Sequence, residues 1–341
     1  MHIGHGGVTD GVMAEIERAL TAHELIKVRA GSADRVSRAT LLAAICARTD
    51  ATPVQSVGKV MVLWRPRSVD RDAPRRSPDE VSLSVRQFSA AWRLMCVDGP
   101  GHALAASAGI EYIFSGLPIG FFNVGLLTER RVSDDRLRSL GRDACTWASD
   151  KGVPWMFVVT HDALEAGTDA AAVLDGCGLA PVMPLTGMLA QHLSPAARIP
   201  DDLHLAVPQD DAGCSAILDV NAAAYSMDLD AAKALVGTRS FWKDHVAVLG
   251  RAADTPACCA TVLMVDGYRY VALVATDPAH QRRGFADAAM RRALEIASET
   301  HGERPTVLHA TDAGRPVYER MGYAAISTHT IFMEKRFLAD H

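Results

Sequence analysis

The feature that most constrains this 341-residue chain is a strand-into-helix unit used twice. The run PTVLHAT (305–311) leads into a helical pattern ending VYERMGY (317–323). Upstream, PWMFVVT (154–160) leads into a segment ending VLDGCGL (173–179). The two strands start 151 residues apart, and an Ala-rich amphipathic stretch precedes each, over 134–150 and 285–300. Self-similarity at a long offset marks a duplicated supersecondary unit. Strands alternating with helices require a sheet with helices on its faces. Residues 81–341 are therefore expected to be α/β (α+β), as two mixed-sheet domains at 81–200 and 201–341. They join near 194–202, where Pro195, Pro200 and two aspartates interrupt the pattern.

A separate unit stands in front. The stretch PRSVDRDAPRRSPDE (66–80) has three prolines, mixed charge and no apolar period, which is linker composition, placed at 68–80. Before it, residues 1–67 read as a small α/β domain. Thr9 or Asp10 caps a helix with Val12, Ile16, Ala19 and Leu20 on one face. ELIKVRA (24–30) alternates as a strand. Ser32 or Asp34 starts a second helix that runs through Arg48 and buries Leu41, Leu42 and Ile45. Strands at 53–57 and 59–64 follow, turned by Gly58. The net charge of −5 hides an asymmetry, because residues 1–67 hold nine Lys/Arg and six Asp/Glu. That mildly basic front fits a polyanionic partner. No apolar run is long enough for a membrane helix. Residues 1–11 lack the apolar core of a signal peptide. Seven scattered cysteines without a C-x-x-C pair predict a reducing cytoplasm and no metal site.

The segment TDPAHQRRGFADAAMRRAL (276–294) carries the clearest chemistry. A strand ends, and a helix opens through a basic, Gly-containing turn. The first helical N–H groups lack intrahelical partners, and the helix dipole places positive partial charge there. Gly284 allows close backbone approach. The turn is thus built for an anionic phosphate.

Thr276-Asp277-Pro278 with Gln281-Arg282-Arg283-Gly284-Phe285-Ala286 resembles the Q/R-x-x-G-x-G/A signature of the GNAT (Gcn5-related) N-acetyltransferases. The later Tyr318-x-x-x-Gly322-Tyr323 matches that family's next motif. The resemblance implies acetyl-CoA as donor, with the backbone from Gln281 to Ala286 around the pyrophosphate and charge from Arg282 and Arg283. It implies that the strand carrying Val274, Ala275 and Thr276 splays from TVLHAT, so that pantetheine pairs with the open edge. An amide near Val274 or Ala275 polarises the thioester carbonyl. Tyr318 matches the family's general acid, and the amine attacks directly. Thr311 stands where many members carry Asn or Ser near the sulfur. Asp228, Asp230 and His245 are candidate bases, although no spacing selects one and each also reads as a surface or capping residue. His309, a lone histidine on a strand, reads as structural.

The middle repeat lacks the phosphate turn. Glu129-Arg130-Arg131-Val132 has no following glycine, and Leu174 takes the place of Tyr318. It resembles a degenerate acetyltransferase half. Phe121, Phe122 and Asn123 line an acceptor pocket on one reading and a buried core strand on the other.

Residues 3–65 resemble the CRM (chloroplast RNA splicing and ribosome maturation) domain. The match includes Gly4-His5-Gly6-Gly7, the LIKV strand and the Gly58-Lys59 hairpin. The resemblance implies an RNA partner, ribosomal RNA in bacterial members, met by the glycine loop. Lys27, Arg29, Lys59 and Arg65 are the candidate phosphate contacts. Family members carry roughly 20 further residues, a helix and a strand, before this loop, so either the start is assigned too late or the domain is a truncated remnant, and as written a bare strand edge and lower local stability are expected.

Two functions follow. One is an acetyl-CoA-dependent N-acyltransferase acting on a small-molecule or protein amine, with an RNA-binding module in front. The other is an RNA-binding ribosome-assembly factor whose acetyltransferase region is a non-catalytic scaffold or CoA sensor.

Overall fold

The computed structural model describes residues 2–3, 9–23, 25–31, 35–57, 59–65, 76–195 and 200–338. The Gly4-His5-Gly6-Gly7 loop, Ser32, Asp34, Gly58 and most of the linker lie outside the described residues.

In the front unit, β1 (His2–Ile3), α1 (Asp10–His23), β2 (Leu25–Ala30), α2 (Arg35–Thr49), β3 (Thr52–Val57) and β4 (Val60–Trp64) follow in order. Their sheet has the order β1-β2-β4-β3. Alternation along β2 turns Ile26, Val28 and Ala30 inward, against Met13, Ile16 and Leu20 of α1 and Ile45 of α2. Lys27 and Arg29 are exposed. β1 lies parallel to β2 at Arg29 and Ala30, so the strand edge expected to be bare is covered there.

The larger unit opens with α3 (Pro78–Cys96). Linker composition through Glu80 conceals its start. Ser77 Oγ accepts from the Glu80 N–H, and the Glu80 side chain accepts from the Ser77 N–H at 3.0 Å. This is a capping box with proline at the first helical position, and Ser77-Pro78-Asp79-Glu80 carries its sequence signature. The helix therefore begins inside the stretch read as linker.

The first half then runs β5 (Ala103–Ser107), β6 (Ile110–Phe114), β7 (Asn123–Leu127), α4 (Asp134–Ser149), β8 (Met156–Thr160), α5 (Ala170–Asp175) and β9 (Leu179–Ala190). The second half runs β10 (His204–Ala206), α6 (Asp211–Tyr225), α7 (Lys233–Val236), α8 (Arg239–Trp242), β11 (Val246–Ala252), β12 (Thr255–Val265) and β13 (Tyr268–Thr276). It ends with α9 (Phe285–His301), β14 (Thr306–Ala310), α10 (Arg315–Arg320) and β15 (Ala324–Glu334).

Among the described residues these strands form one eleven-stranded sheet, β10-β11-β12-β13-β14-β9-β15-β8-β7-β6-β5. Each half builds antiparallel neighbours and then one parallel pair, β7 with β8 and β13 with β14. The last strand of each half then crosses over. β9 pairs with β14, and β15 pairs with β8 as well as with β9. The repeat along the chain divides 81–200 from 201–341, whereas strand pairing runs across that division.

Helices cover both faces. α3 and α6 pack on one side, where Phe88, Trp92, Ile217 and Leu218 meet Leu263, Tyr270 and Val307. On the other side, Ala289, Met290 and Ala293 of α9 meet Val248 and Val262. Leu137 and Leu140 of α4 and Leu174 of α5 meet Phe157. Arg269, 2% exposed, ties the start of β13 to the end of α9 through the Leu294 carbonyl, Ser298 Oγ and Glu303. The chain between the halves passes close to α10. The Ser194 N–H donates to the Met321 carbonyl at 2.8 Å. A side chain at Gly322 (φ +98°) would press on Ser194 and His192.

Candidate active site at the splayed strands

The sequence ends β13 in a turn that opens α9, and the backbone there is bent away from its neighbour. β13 and β14 pair only at Arg269–Thr306 and Tyr270–Val307. Beyond these pairs the strands part, and a bulge lies on the parting side. Cys259 faces Ala275 and Thr261 faces Ala272, so Leu273 and Val274 together oppose one residue of β12. Leu273 sits at φ +47°, a conformation that leucine adopts only at a cost. The Asp277 N–H donates to the Ala257 carbonyl of β12 at 2.9 Å. By strand alternation Ala275 also faces β12, and the amides of Thr276 and Val274 face the gap.

The turn that follows offers free donors. Asp277 caps a short 3-10 turn, Pro278–His280, by accepting from the Ala279 N–H at 2.9 Å. Gly284 is the α9 N-cap at φ +81°, and no side chain caps the helix. The first helical bond runs from the Ala288 N–H to the Gly284 carbonyl. The N–H groups of Gln281 through Asp287 meet no acceptor among the described residues. A Cβ built on Gly284 would meet nothing within 4 Å, so the turn is open at Gly284 itself. Phe285 is buried and anchors the helix start.

The two arginines differ. Arg283 folds back onto Asp202, reaches His280 Nδ1 at 3.2 Å and lies 4.6 Å over the Phe285 ring. Arg282, at φ +61°, is exposed and makes no ion pair among the described residues.

Tyr318 sits on α10, partly buried beside Gly314 and 6.1 Å from the Tyr323 ring. Its hydroxyl has no hydrogen-bond partner among the described residues. Burial, with Tyr225 and Tyr323 nearby, pushes its pKa up, so the phenol holds its proton. Thr311 follows β14 at the parted end of the gap, where its carbonyl accepts from Gly314 and Arg315 and its hydroxyl from Gly314 at 3.4 Å. It shapes the entry to α10.

Sequence reasoning missed Tyr225. At the end of α6, its hydroxyl donates to the Val274 carbonyl at 3.0 Å. Its ring is half-exposed, while desolvation around the hydroxyl, with Cys259 nearby, pushes the pKa up to about 12. It also missed a buried polar chain. Tyr270 Oη meets His309 Nδ1 at 2.8 Å, and His309 Nε2 meets Ser84 Oγ at 2.9 Å. Ser84 meets Ser327 at 2.6 Å, Ser327 meets His329 Nε2 at 2.7 Å, and His329 Nδ1 meets Thr160 at 3.0 Å. His309 is thus one member of a chain that joins β13, β14, α3, β15 and β8. Gly187 of β9 makes room for it, because a Cβ there would collide with both serines.

The candidate bases have local partners. Asp228 accepts from the Asp230 N–H at 3.0 Å, Asp230 pairs with Lys233 at 2.7 Å, and His245 Nδ1 accepts from the Met264 N–H at 3.3 Å. Phe122 and Asn123 are fully buried. The Asn123 amide donates to the carbonyls of Leu117, Ile119 and Pro154. Phe121 packs against Trp92 at 5.0 Å. These residues build the core rather than a pocket.

The corresponding gap of the first half is stitched shut. Val132 and Leu164 form a parallel bridge beyond β7 and β8, with the Val132 N–H on the Ala163 carbonyl. Ser133 caps α4, Glu129 is held by Arg136 at 2.6 Å, and Leu174 is fully buried. A cleft of about 830 Å³ runs along the outer face of α3, past Arg86, Leu104 and Glu111. It touches neither Val274–Ala286 nor Tyr318, and Glu111 in it is taken by Arg93 and Ser89.

In the front unit, Arg65 is committed to Glu17 and to the Thr49 carbonyl, each at 2.7 Å. Lys27, Arg29 and Lys59 are exposed. Arg29 pairs across strands with His2 and with Val60, next to Lys59. Arg29 and Lys59 therefore share one end of the sheet, while Lys27 lies opposite Val62 in the middle of β2.

Comparison with known proteins agrees with both geometries. Residues 1–65 match the CRS1 / YhbY (CRM) domain family, and residues 249–338 match the acetyltransferase (GNAT) domain family. An RNA-binding protein of Haemophilus influenzae is 48% identical over 64 residues, covering 19% of this chain and 65% of that protein. A "Probable RNA-binding protein" of Pseudomonas aeruginosa is 46% identical over 63 residues, covering 18% of this chain and 61% of its own length. The chain thus spans less than two thirds of either relative. A GCN5-related N-acetyltransferase from Kribbella flavida superposes with a TM-score of 0.57 at 19% identity, covering 74% of this chain and 95% of its own, which shows a shared fold. The chain joins a CRS1 / YhbY (CRM) domain at residues 1–65 to a GNAT acetyltransferase domain at residues 249–338.

Proposed function

We propose that the chain is an acetyl-CoA-dependent N-acyltransferase working in the gap between β13 and β14. The observation that carries this reading is one open row of donors, the amides of Val274 and Thr276 followed by those of Gln281 through Asp287. A row of backbone donors ending at an uncapped helix start suits a ligand that is extended at one end and diphosphate at the other. Acetyl-CoA has that form and supplies an activated thioester acyl group when bound. The turn from Gln281 to Ala286 would hold its pyrophosphate, with Arg282 adding charge and Arg283 bracing the turn through Asp202. The Val274 amide would polarise the thioester carbonyl. Tyr318, protonated and without a protein partner, would give its proton to the departing thiolate. Thr311, at the parted end of β14, would hold the entry to the helix that carries Tyr318. The acceptor is an amine of a small molecule or protein.

The stitched gap and buried Leu174 support the first half as a supporting half without chemistry. The front domain would bring the enzyme to RNA, ribosomal RNA by likeness to the relatives' domain, through the glycine loop with Lys27, Arg29 and Lys59. The seven free thiols support a cytoplasmic setting.

Thermal unfolding with and without acetyl-CoA tests the binding half. A saturating ligand at about 100 times Kd adds roughly 2.7 kcal/mol, a clear rise in Tm. Thiol release against an amine panel tests the chemistry. Tyr318→Phe is expected to lose thiol release by about 100-fold or more while keeping acetyl-CoA binding. Unchanged turnover in that variant refutes the acid role. RNA co-sedimentation without thiol release from any amine favours the scaffold or CoA-sensor alternative.

A further inference from the structure

The bulge in β13 leaves three successive carbonyls to be satisfied by side chains. Thr261 Oγ1 donates to the Ala272 carbonyl at 2.7 Å. Cys259 Sγ donates to the Leu273 carbonyl at 3.3 Å, and Asn221 Nδ2 reaches the same oxygen at 3.4 Å. Tyr225 donates to the Val274 carbonyl at 3.0 Å. Thr261 and Cys259 belong to β12. Asn221 and Tyr225 lie four residues apart on α6, so they share one helix face.

The direction of these bonds matters. In a trans peptide the C=O and N–H point opposite ways. The Leu273 carbonyl and the Val274 N–H belong to one peptide. Holding that carbonyl toward Cys259 and Asn221 turns the Val274 N–H away from them, into the gap. A donor on the carbonyl also polarises the N–H of the same unit. Asn221 is itself locked, because its amide donates to the Ile217 carbonyl at 2.8 Å and it is 3% exposed. Tyr225 is 47% exposed and adds little to the core. Its bond to Val274 is its main structural contribution.

We infer that Asn221 and Tyr225 are positioning residues, which from α6 hold the two peptides flanking Val274, Asn221 the one that carries the Val274 N–H, through the Leu273 carbonyl, and Tyr225 the next, whose Ala275 N–H is turned to β12, and so fix Val274 with its amide facing an acyl carbonyl in the gap. The inference rests on the acyltransferase reading above. It explains how a leucine is kept at φ +47° without a glycine in the strand. It also makes the end of α6 part of the acyl site.

Isotope-edited infrared spectroscopy of the full chain with [1-13C]acetyl-CoA tests it without any acceptor. The bound thioester C=O band is expected below its position in free acetyl-CoA. Tyr225→Phe and Asn221→Ala are each expected to move the band back toward the free position. Each is expected to weaken acetyl-CoA binding about threefold to tenfold, the span of one neutral hydrogen bond. A merely structural role would lower Tm and leave the band of the bound ligand in place. Tyr225→Phe removes one hydroxyl from a half-exposed ring, so it serves alone should Asn221→Ala not fold. Binding with the unmodified protein's band in Tyr225→Phe overturns the clamp alone, as does an unshifted band in the unmodified protein. Absence of acetyl-CoA binding in the unmodified chain overturns the acyltransferase reading and the clamp with it.

Discussion

Acid is expected to unfold the shared sheet through His329. This side chain is 2% exposed, with Nε2 on Ser327 at 2.7 Å and Nδ1 on Thr160 at 3.0 Å. Burial depresses its pKa from 6.5 to about 3, with His161 and Arg76 acting in the same direction and Asp162 opposing. The imidazole is therefore neutral in the folded protein, whereas the unfolded chain takes up a proton below pH 6.5. The stability it protects is complete above pH 6.5 and is lost as pH falls through the window down to about 3. Each pH unit inside the window costs about 1.4 kcal/mol. At pH 5, about 1.5 units into it, His329 alone removes about 2 kcal/mol. His309, also depressed by burial and by His329, adds to the loss, as does His161. Urea unfolding of the full chain at pH 7, 6 and 5, followed by tryptophan fluorescence, reads this directly. His329→Gln keeps a polar group against Ser327 and does not titrate, so it should begin less stable at pH 7 and lose less between pH 7 and 5. An equal fall in both proteins, or no fall in either, refutes the reasoning.

Gly187→Ala drives a methyl group into Ser84 and Ser327, and should cost about 3 kcal/mol or more through overpacking and broken buried hydrogen bonds, read by urea midpoint. Gly284→Ala places its methyl in open space at φ +81°, so unfolding free energy should fall by only the roughly 1–2 kcal/mol of a left-handed alanine, while acetyl-CoA binding measured by calorimetry loses more. Arg29→Ala with Lys59→Ala should weaken binding to structured RNA and flatten the slope of log K against log salt by about two, read by fluorescence anisotropy.

The sequence made the local units plain for physical reasons. An apolar run meeting a Gly-containing turn and an amphipathic helix identifies β13, the phosphate-type turn and α9, because those signals lie within one stretch of chain. The small front domain was equally legible, since α1, β2, α2, β3 and β4 each follow their own apolar period. The start of α3 was legible but overridden, because prolines and charges near Ser77 outweighed the capping signature. Partner choice was not legible. Nothing in the composition of β9 says that it pairs with β14 rather than staying beside β8, since both options bury the same faces. The chain from Tyr270 to Thr160 was hidden because its members come from distant segments. Tyr225 was hidden because its role is to meet a backbone carbonyl, and a bulge centred on leucine carries no glycine to announce it.

The exchange of β9 and β15 also has a consequence in time. Thr160 and His329 touch although 169 residues of chain separate them. During synthesis β8 emerges early, and the edge that meets β15 is without its native partner until that strand leaves the ribosome. Closing so large a loop is entropically slow, and an apolar strand held open in the meantime invites pairing with the wrong chain. The same exchange bears on separating the halves. The half with the stitched gap owns the strand that lies against β14, so its removal would expose the edge of the other half. Neither half can therefore be cut away without leaving an apolar strand open on the other.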